Sequence, residues 1–489
     1  MSVPYLAKYD FRTKQQYIYR TNAICEIAGA SSYIACSYER FLNRLKALGM
    51  EVERNYTWDN GVYVNNVEAE FNPSFDKDGC IGKVVYVGGG NLIILWKDLE
   101  TAKTANGIFC ELLLDEAPGL SPVCGLAKYT GDYGADYEVL NAAFAEDKRL
   151  QTPMESSAML PFTEVDRRTS LPILFKGKRN GRDVSLSGES LSKLRNYDNH
   201  EIHTQDDGTK QLDELVTKKG EESLLAIIYI DGNGMGDRVR KCMSNNGEQV
   251  RDYSEAVKRI RMFSNMIHND YVMGPMKHIA EYLETIKDVN SKYRLVVANG
   301  DEVTIICNAR AALAVTRAYF EALNPQTSGN SSCAGIAIFH SHAPFATVYS
   351  IAEECCENAK KLNRKNRNGN CLVDFQFCYS GITGDLDTMR EQDKERMCRP
   401  YYISKSINDE PCKSLDKLLE LGKKLSAIGR ANIKELSKAA IIGEAEYLQE
   451  LYRIRAHIED GKEFDLNEEE KAMLFDVAQF YDIWFSKEV

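Results

Sequence analysis

The chain contains no C-x-x-C pair, although 14 of its 489 residues are cysteine. Zinc modules and disulfide frameworks depend on patterned spacing, so its absence argues against both. Unpatterned thiols such as Cys25, Cys110, Cys307, Cys333 and the adjacent Cys355-Cys356 read as small hydrophobes of a reducing compartment, the cytoplasm. Positive charge is not in excess either: 61 Lys and Arg face 72 Asp and Glu, a net charge of −11. That balance does not suit a chain whose main task is wrapping nucleic acid, though it leaves room for a local basic groove. No long apolar run occurs. Leu224 to Ile230 has the length of a core strand, far short of a membrane span, and no membrane partner is expected. The opening MSVPYLAKYDF reads as a strand without signal-peptide layout. At 44% apolar and 27% charged, the composition is that of a globular protein, long enough for about three domains.

What is present is an order of elements that occurs twice. Residues 4–11 alternate as a strand and 13–48 are helical; 83–87 and 92–96 are β-rich around Gly88-Gly89-Gly90-Asn91, which predicts a hairpin. A helix over 98–114, a strand over 122–129 and a helix over 136–150 follow. Residues 164–222, polar and without apolar periodicity, read as a linker or loosely packed insertion. From 223 the order returns: strand 224–231, helix 252–288, strands 293–298 and 303–307 around Asn299-Gly300-Asp301-Glu302, helix 309–323, strand 333–340, helix 345–362 and strand 371–377. Beyond 413 the spacing is helical, with Leu418, Leu419, Leu421, Leu425, Leu448, Leu451 and Ile454 as a core stripe. Gly89 and Gly125 are 36 residues apart, Gly300 and Gly335 are 35 apart, and Asp10 and Asp231 each end an opening strand. Matching order and offsets predict a duplicated βαββαβ domain in an α+β chain.

The second copy holds the candidate chemistry. Asp231 ends an apolar strand and precedes Gly-Asn-Gly-Met-Gly, whose backbone suits close approach to a triphosphate. Asn299-Gly300 is a hairpin signal that does not itself call for the two acids after it. Paired carboxylates there, with a third from a neighbouring strand, are what two divalent metals need to activate a 3′-hydroxyl and steady a leaving pyrophosphate. Lys360 and Arg364 are four apart on one helix and can reach one anion together. Each piece also has a structural reading, as a strand-to-loop turn, a hairpin tip and a solvated helix end. His340 and His342 flank Ser341 at a strand end and read as structural, since no third ligand is apparent.

DGNGMG, NGDE, CAGIAIFHSHAPF and AEECCENAKKLNR resemble the catalytic palm of the large polymerase-like subunit of type III CRISPR effector complexes, itself related to GGDEF nucleotide cyclases. The KYDF strand, the IAGASS segment and the second palm-like copy resemble the CRISPR subunit further. The resemblance implies two ferredoxin-like palm domains facing each other plus a C-terminal helical domain: a first palm over 1–150, the linker or insertion over 151–222, a catalytic palm over 223–380 and a helical domain over 381–489. It implies condensation of ATP into cyclic oligoadenylate second messengers with two Mg²⁺ or Mn²⁺ ions, and defence-complex proteins or RNA as partners. Carried over by position, Asp231, Asp301 and Glu302 would be catalytic metal ligands. Gly232 would offer its carbonyl, Asn233, Gly236, Asn299 and Gly300 would line the nucleotide, and Lys360 and Arg364 would hold phosphates. Asn299 and Glu302 depart from the family's Gly-Gly-Asp-Asp. No His-Asp dipeptide and no cysteine quartet occur, so the family's nuclease and zinc modules are not expected, and the length suggests a stand-alone or reduced member. Gly88, Gly89 and Gly90 carry no acid, so the first copy is expected to hold an acceptor nucleotide, helped by Ile27–Ser32. A degenerate palm scaffold and a GTP-using cyclase remain alternatives, and a templated polymerase is disfavoured by the acidic charge.

Overall fold

The computed structural model describes the chain apart from residues 1–2, 60, 76–78, 151–161, 180, 199–211, 217–222, 246, 286–291, 324–328, 367–369, 379–383, 404–413, 458–463 and 486–489. The first copy comprises β1 (Tyr5–Arg12), α1 (Ile24–Ala47), β2 (Gly82–Gly88), β3 (Asn91–Trp96), α2 (Leu99–Glu116), β4 (Ser121–Lys128) and α3 (Tyr133–Leu150). Next come β5 (Ile173–Arg179), β6 (Arg182–Ser187) and α4 (Gly188–Asp198). The second copy comprises β7 (Leu224–Gly232), α5 (Met235–Cys242), α6 (Tyr253–His268), α7 (Gly274–Leu283), β8 (Tyr293–Asn299), β9 (Glu302–Asn308), α8 (Ala312–Leu323), β10 (Ser332–His340), α9 (Phe345–Asn366), β11 (Leu372–Phe377) and β12 (Tyr401–Tyr402). The helical region holds α10 (Leu415–Leu425), α11 (Arg430–Ile442), α12 (Glu444–Arg455) and α13 (Glu468–Phe480). Local chemistry sets several boundaries. Asp98 and Asp252 accept from the backbone N–H of Thr101 and Glu255, and Asn467 and Glu470 form a reciprocal capping box. The expected 252–288 helix is broken by one π-turn at Asn269–Met273.

Both sheets follow one antiparallel plan. The first runs β2-β3-β1-β4 with Val52–Glu53 beside β2, and the second runs β8-β9-β7-β10-β11-β12. Placing the opening strand between the hairpin and the fourth strand is the ferredoxin-like order, so the α+β expectation stands. The register makes the duplication residue-specific. Gly125 lies opposite Lys8, two before Asp10, and Gly335 lies opposite Tyr229, two before Asp231. A Cβ on Gly125 would collide with the backbone of Leu140 and Phe144 in α3, and one on Gly335 with that of Ala352 and Cys356 in α9. Each glycine therefore serves the same close helix-on-strand approach. Tyr9 pairs with Leu92 and Ile230 with Val303, which puts Gly88-Gly89-Gly90-Asn91 at the positions of Asn299-Gly300-Asp301-Glu302.

The chain divides into two compact units. One comprises Met1–Gln211, Gly234–Met273 and Leu295–Asp301, and the other Leu212–Asn233, Gly274–Arg294 and Glu302–Val489. Helices α5 and α6 thus belong with the first unit although the chain order puts them after β7. Arg261 of α6 explains why: it is fully buried and donates to the carbonyls of Val84, Val85, Asn66 and Ala69. Beside it the Asn265 side chain accepts from the Asn65 backbone N–H and donates to the Asn65 carbonyl.

Part of the expected linker is built structure. Strands β5 and β6 form a hairpin, and α4 packs on α1 where Gly29 meets the Lys193 carbonyl. The polar composition misled because the polar groups are inside and bonded to one another. Buried Glu26 accepts from Thr21, Ser190 and Arg168, and buried Lys193 donates to Glu189 at 2.6 Å. Within the segment Ile27–Ser32, expected to help hold a nucleotide, Ile27–Ala30 are buried, Gly29 at that crossing, and the half-buried Ser31 donates to the Val296 carbonyl.

In the second unit the C-terminal helices bury Leu418, Leu421, Leu425, Leu451 and Ile454, while Leu448 is exposed. Among the described residues two buried charge pairs lie in the same unit, Arg390–Asp374 and Arg399–Asp476. Arg390 forks onto Asp374 at 2.8 and 2.9 Å, and Asp476 of α13 accepts from the Tyr401 hydroxyl at 2.7 Å and the backbone of Cys398 and Arg399. No helix among the described residues is long and apolar enough to cross a membrane.

Candidate functional site

Strand β7 is apolar to its last turn because it lies between β9 and β10, and its buried run ends at Asp231. Strand alternation puts Tyr229 and Asp231 on one face, the face that α9 covers. That helix is held close by the Gly335 contact, and the Cys356 thiol donates to the Cys333 carbonyl at 3.2 Å. One turn beyond Cys356, the Lys360 ammonium reaches back to the strand end. It donates to Asp231 Oδ2 at 2.5 Å and to the Gly232 carbonyl at 2.8 Å.

The next acid is placed by register. Ile230 faces Val303, so one position on Asp231 and Glu302 stand at the same end of neighbouring strands. The buried Tyr349 hydroxyl of α9 donates to Glu302 Oε1 at 3.3 Å, and the Tyr349 ring meets Tyr229 edge-on at 5.6 Å. Burial, then the charges of Glu302 and Asp231, push the Tyr229 hydroxyl far up, so it stays neutral beside the acids. Glu353 of α9 joins them electrostatically. Desolvation first, and then the charge of Asp231, raise its carboxyl above the usual range. Sequence reasoning missed Glu353, Tyr349 and Tyr229. The signal available was the spacing on α9, since 353, 357 and 360 share a helix face.

The remaining expected residues are distributed less compactly. Asp301 and Gly300 (φ +63°) form the turn from β8 to β9, and Asn299 ends β8 with its side chain outside the described residues. Asn233 donates from its amide to the Asn370 carbonyl at 3.1 Å and from its backbone to Ser331 at 2.8 Å. The glycine that the turn after β7 requires is Gly234, at φ +64°, whereas Gly236 lies within α5 in the other unit. Arg364 is exposed and pairs with Glu357, so in this structure it and Lys360 do not converge on one point. Among the described residues no group of three or more His, Cys, Asp or Glu is arranged to hold a metal; His340 and His342 are exposed, their rings near each other and the His342 backbone N–H donating to His340 Nδ1 at 3.4 Å. The acids are not closed into a cage, and the cation standing at Asp231 is a lysine.

In the first copy, Gly89 and Gly90 have φ +58° and +74° and make a two-residue turn of the kind hairpins favour. The Gly90 carbonyl accepts from the Tyr38 hydroxyl at 2.7 Å. Asp10 is ion-paired with Lys14, four residues on.

Known proteins resemble the chain in part of its sequence and in its fold. Residues 224–369 match the family described as Cas10/Cmr2, second palm domain. No curated protein matches the sequence. Among solved structures the chain is similar to the Csm1-Csm4 cassette in complex with cA4 (14% identity, TM-score 0.52, covering 98% of this chain and 70% of that one). It is similar also to the cassette in complex with AMPPNP (14%, 0.50, 98% and 69%) and to Csm1 in T. onnurineus (10%, 0.51, 98% and 69%). The fold is that of Csm1, and the second copy is similar to the second palm domain of Cas10/Cmr2.

Proposed function

We propose that the chain is a metal-dependent nucleotidyltransferase that condenses ATP into a cyclic oligonucleotide second messenger for antiviral defence. The observation that carries this is the end of β7, where the Asp231 carboxylate and the Gly232 carbonyl converge on one cation. Two oxygen donors already sharing a positive charge suit a divalent metal in that place, with Glu302 on the adjacent strand and Asp301 before it. Two Mg²⁺ or Mn²⁺ ions bound there would lower the pKa of an attacking 3′-hydroxyl and neutralise the leaving pyrophosphate. The chain's own residues do the rest. The strand end fixes the direction of Asp231, Tyr349 orients Glu302, and Lys360 supplies a mobile positive charge for a phosphate. The first copy, without hairpin acids, would hold the acceptor nucleotide. The capture of AMPPNP and cA4 by the similar Csm1-Csm4 cassette supports a nucleotide ligand, and Csm4 there supports a defence-complex partner.

The test is direct. Purified protein is incubated with each labelled NTP and Mg²⁺ or Mn²⁺, alone and with target RNA, and products are identified by mass spectrometry. Cyclic or linear oligoadenylate dependent on Asp231 is the expected result. Nucleotide binding without turnover under every condition would leave the degenerate scaffold, and products from GTP alone would favour the cyclase alternative.

A further inference from the structure

Lys360 has two roles that conflict in space. Its ammonium lies 2.5 Å from Asp231 Oδ2 and 2.8 Å from the Gly232 carbonyl, the same two oxygens that the proposed function gives to a divalent cation. A metal needs those lone pairs at about 2.1 to 2.5 Å, so ammonium and metal exclude each other there. The backbone beneath Lys360 cannot withdraw, because α9 is locked on β10 at Gly335 and through the buried Cys356 and Ala359. Only the four-carbon side chain can move. It leaves a half-buried carboxylate only when offered another anion, and a triphosphate is such an anion.

We propose, on the basis of the nucleotidyltransferase reading, that Lys360 is an internal competitor for the metal position and that the incoming triphosphate draws it off. Metal and nucleotide loading are then coupled through one side chain. By linkage, each ligand raises the affinity for the other, and the coupling resides in Lys360. Without nucleotide the acids keep a resident counter-charge, which stops them from repelling one another and from collecting free metal.

The experiment measures Mn²⁺ affinity by electron paramagnetic resonance on the full chain, without nucleotide and without turnover. Lys360→Met keeps the length of the side chain and removes its charge, with Lys360→Gln as a second variant should the first fail to fold. Lys361→Met removes a neighbouring exposed charge. Lys360→Met is expected to bind Mn²⁺ about 5- to 20-fold more tightly than the wild type, the usual size of such couplings. Lys361→Met is expected to change affinity less than about twofold, as a screened surface charge does. Unchanged or weaker binding in folded Lys360→Met or Lys360→Gln overturns the proposal, as does an equal gain in Lys361→Met. Asp231→Asn separates the two readings. If it leaves Mn²⁺ binding intact, the metal site itself is misplaced. If it abolishes binding while Lys360→Met gains nothing, the metal site stands and the competition does not.

Discussion

The two copies present the same strand end in two states of use. In both, an aspartate stands in the last residues of the central strand, with β1 running on to Arg12 past Asp10, and a glycine on the next strand lies opposite the residue two before it. In the first copy the Asp10 partner is Lys14, a neighbour in the chain. In the second, the Asp231 partner is Lys360, brought from 129 residues away by α9. A local pair closes on itself. A pair made across the fold ties the strand end to a distant helix, so it forms only when both have been brought together. Four residues past the contacts with Gly125, α3 carries Lys148 where α9 carries Lys360, so the helix cation is present in both copies. What differs is the acids. Gly90 and Asn91 stand in the places of Asp301 and Glu302, and Asn141 stands in that of Glu353. The first copy has kept cations and lost carboxylates.

The largest expected effect tests that asymmetry. Asp231→Ala and Asp301→Ala should each lower product formation by about 10³-fold or more, some 4 kcal/mol of transition-state stabilisation, with the fold intact. Both residues are partly exposed at strand ends, so their loss opens no cavity. Asp10→Ala should cost less than about tenfold in the same mass-spectrometric assay. Equal losses in the two copies would erase the distinction.

The copies differ also in what lies beyond the fourth strand. The second sheet continues through β11 and β12, and buried Arg390 and Asp374 join there. Burial works to raise the Asp374 carboxyl, but Arg390, then Arg399 and Asn358, outweigh it and hold the pKa below its ordinary value. Its stabilisation is therefore present above the unfolded carboxyl range near pH 4, and is lost as pH falls through the lowered native value. Arg390→Met leaves a buried carboxylate unpaired and should destabilise the protein by about 3–5 kcal/mol in urea unfolding, more than Asp374→Leu and Arg390→Met together. The double variant being the less stable would show that the pair's own attraction dominates.

The sequence made the duplication legible because it needs specific residues at fixed offsets: a glycine where a helix meets a strand, an aspartate at a strand end, glycine in tight turns. Residues 173–198 were not legible, since buried polar pairs such as Lys193–Glu189 look in composition like solvated ones. Nor was the placement of α5 and α6, which rests on Arg261 finding carbonyls nearly two hundred residues upstream. In the site, Asp231 and Lys360 were read from spacing, but their mutual contact was not. Tyr349 went unnoticed because an aromatic at helical spacing reads as core, which it also is.

Tyr349 gives a smaller effect. The first copy has no acid for such a hydroxyl to orient, so its role belongs to the second hairpin alone. Tyr349→Phe should lower the rate about fivefold, near 1 kcal/mol for a 3.3 Å bond to a carboxylate, with the substrate KM nearly unchanged. In a Glu302→Asp background the shorter arm no longer reaches the hydroxyl, and Tyr349→Phe should then cost nothing further. Additive losses would assign Tyr349 to packing against Tyr229.

The smallest expected effect is a failure to gain. If missing acids alone separated the copies, then Gly90→Asp with Asn91→Glu would give the first hairpin the carboxylates of the second. Gly90 has φ +74°, which aspartate tolerates at a cost of about 1 kcal/mol, so the turn should survive. The surroundings, however, have changed sign. Lys8 occupies the register position of Tyr229, bonds Asn141 at 2.9 Å and lies over the Phe144 ring, while Lys14 ties up Asp10. Burial, and then the charge of Lys148, already press the Lys8 ammonium toward its neutral form, with Asp10 opposing them. New acids there would be taken up by resident lysines, and no pair of metals would be gathered. The double substitution placed in the Asp301→Ala protein should therefore restore no synthesis and bind no additional Mn²⁺. Restored synthesis would mean that the two strand ends differ only in their hairpin acids, and that the lysines of the first copy are as displaceable as Lys360.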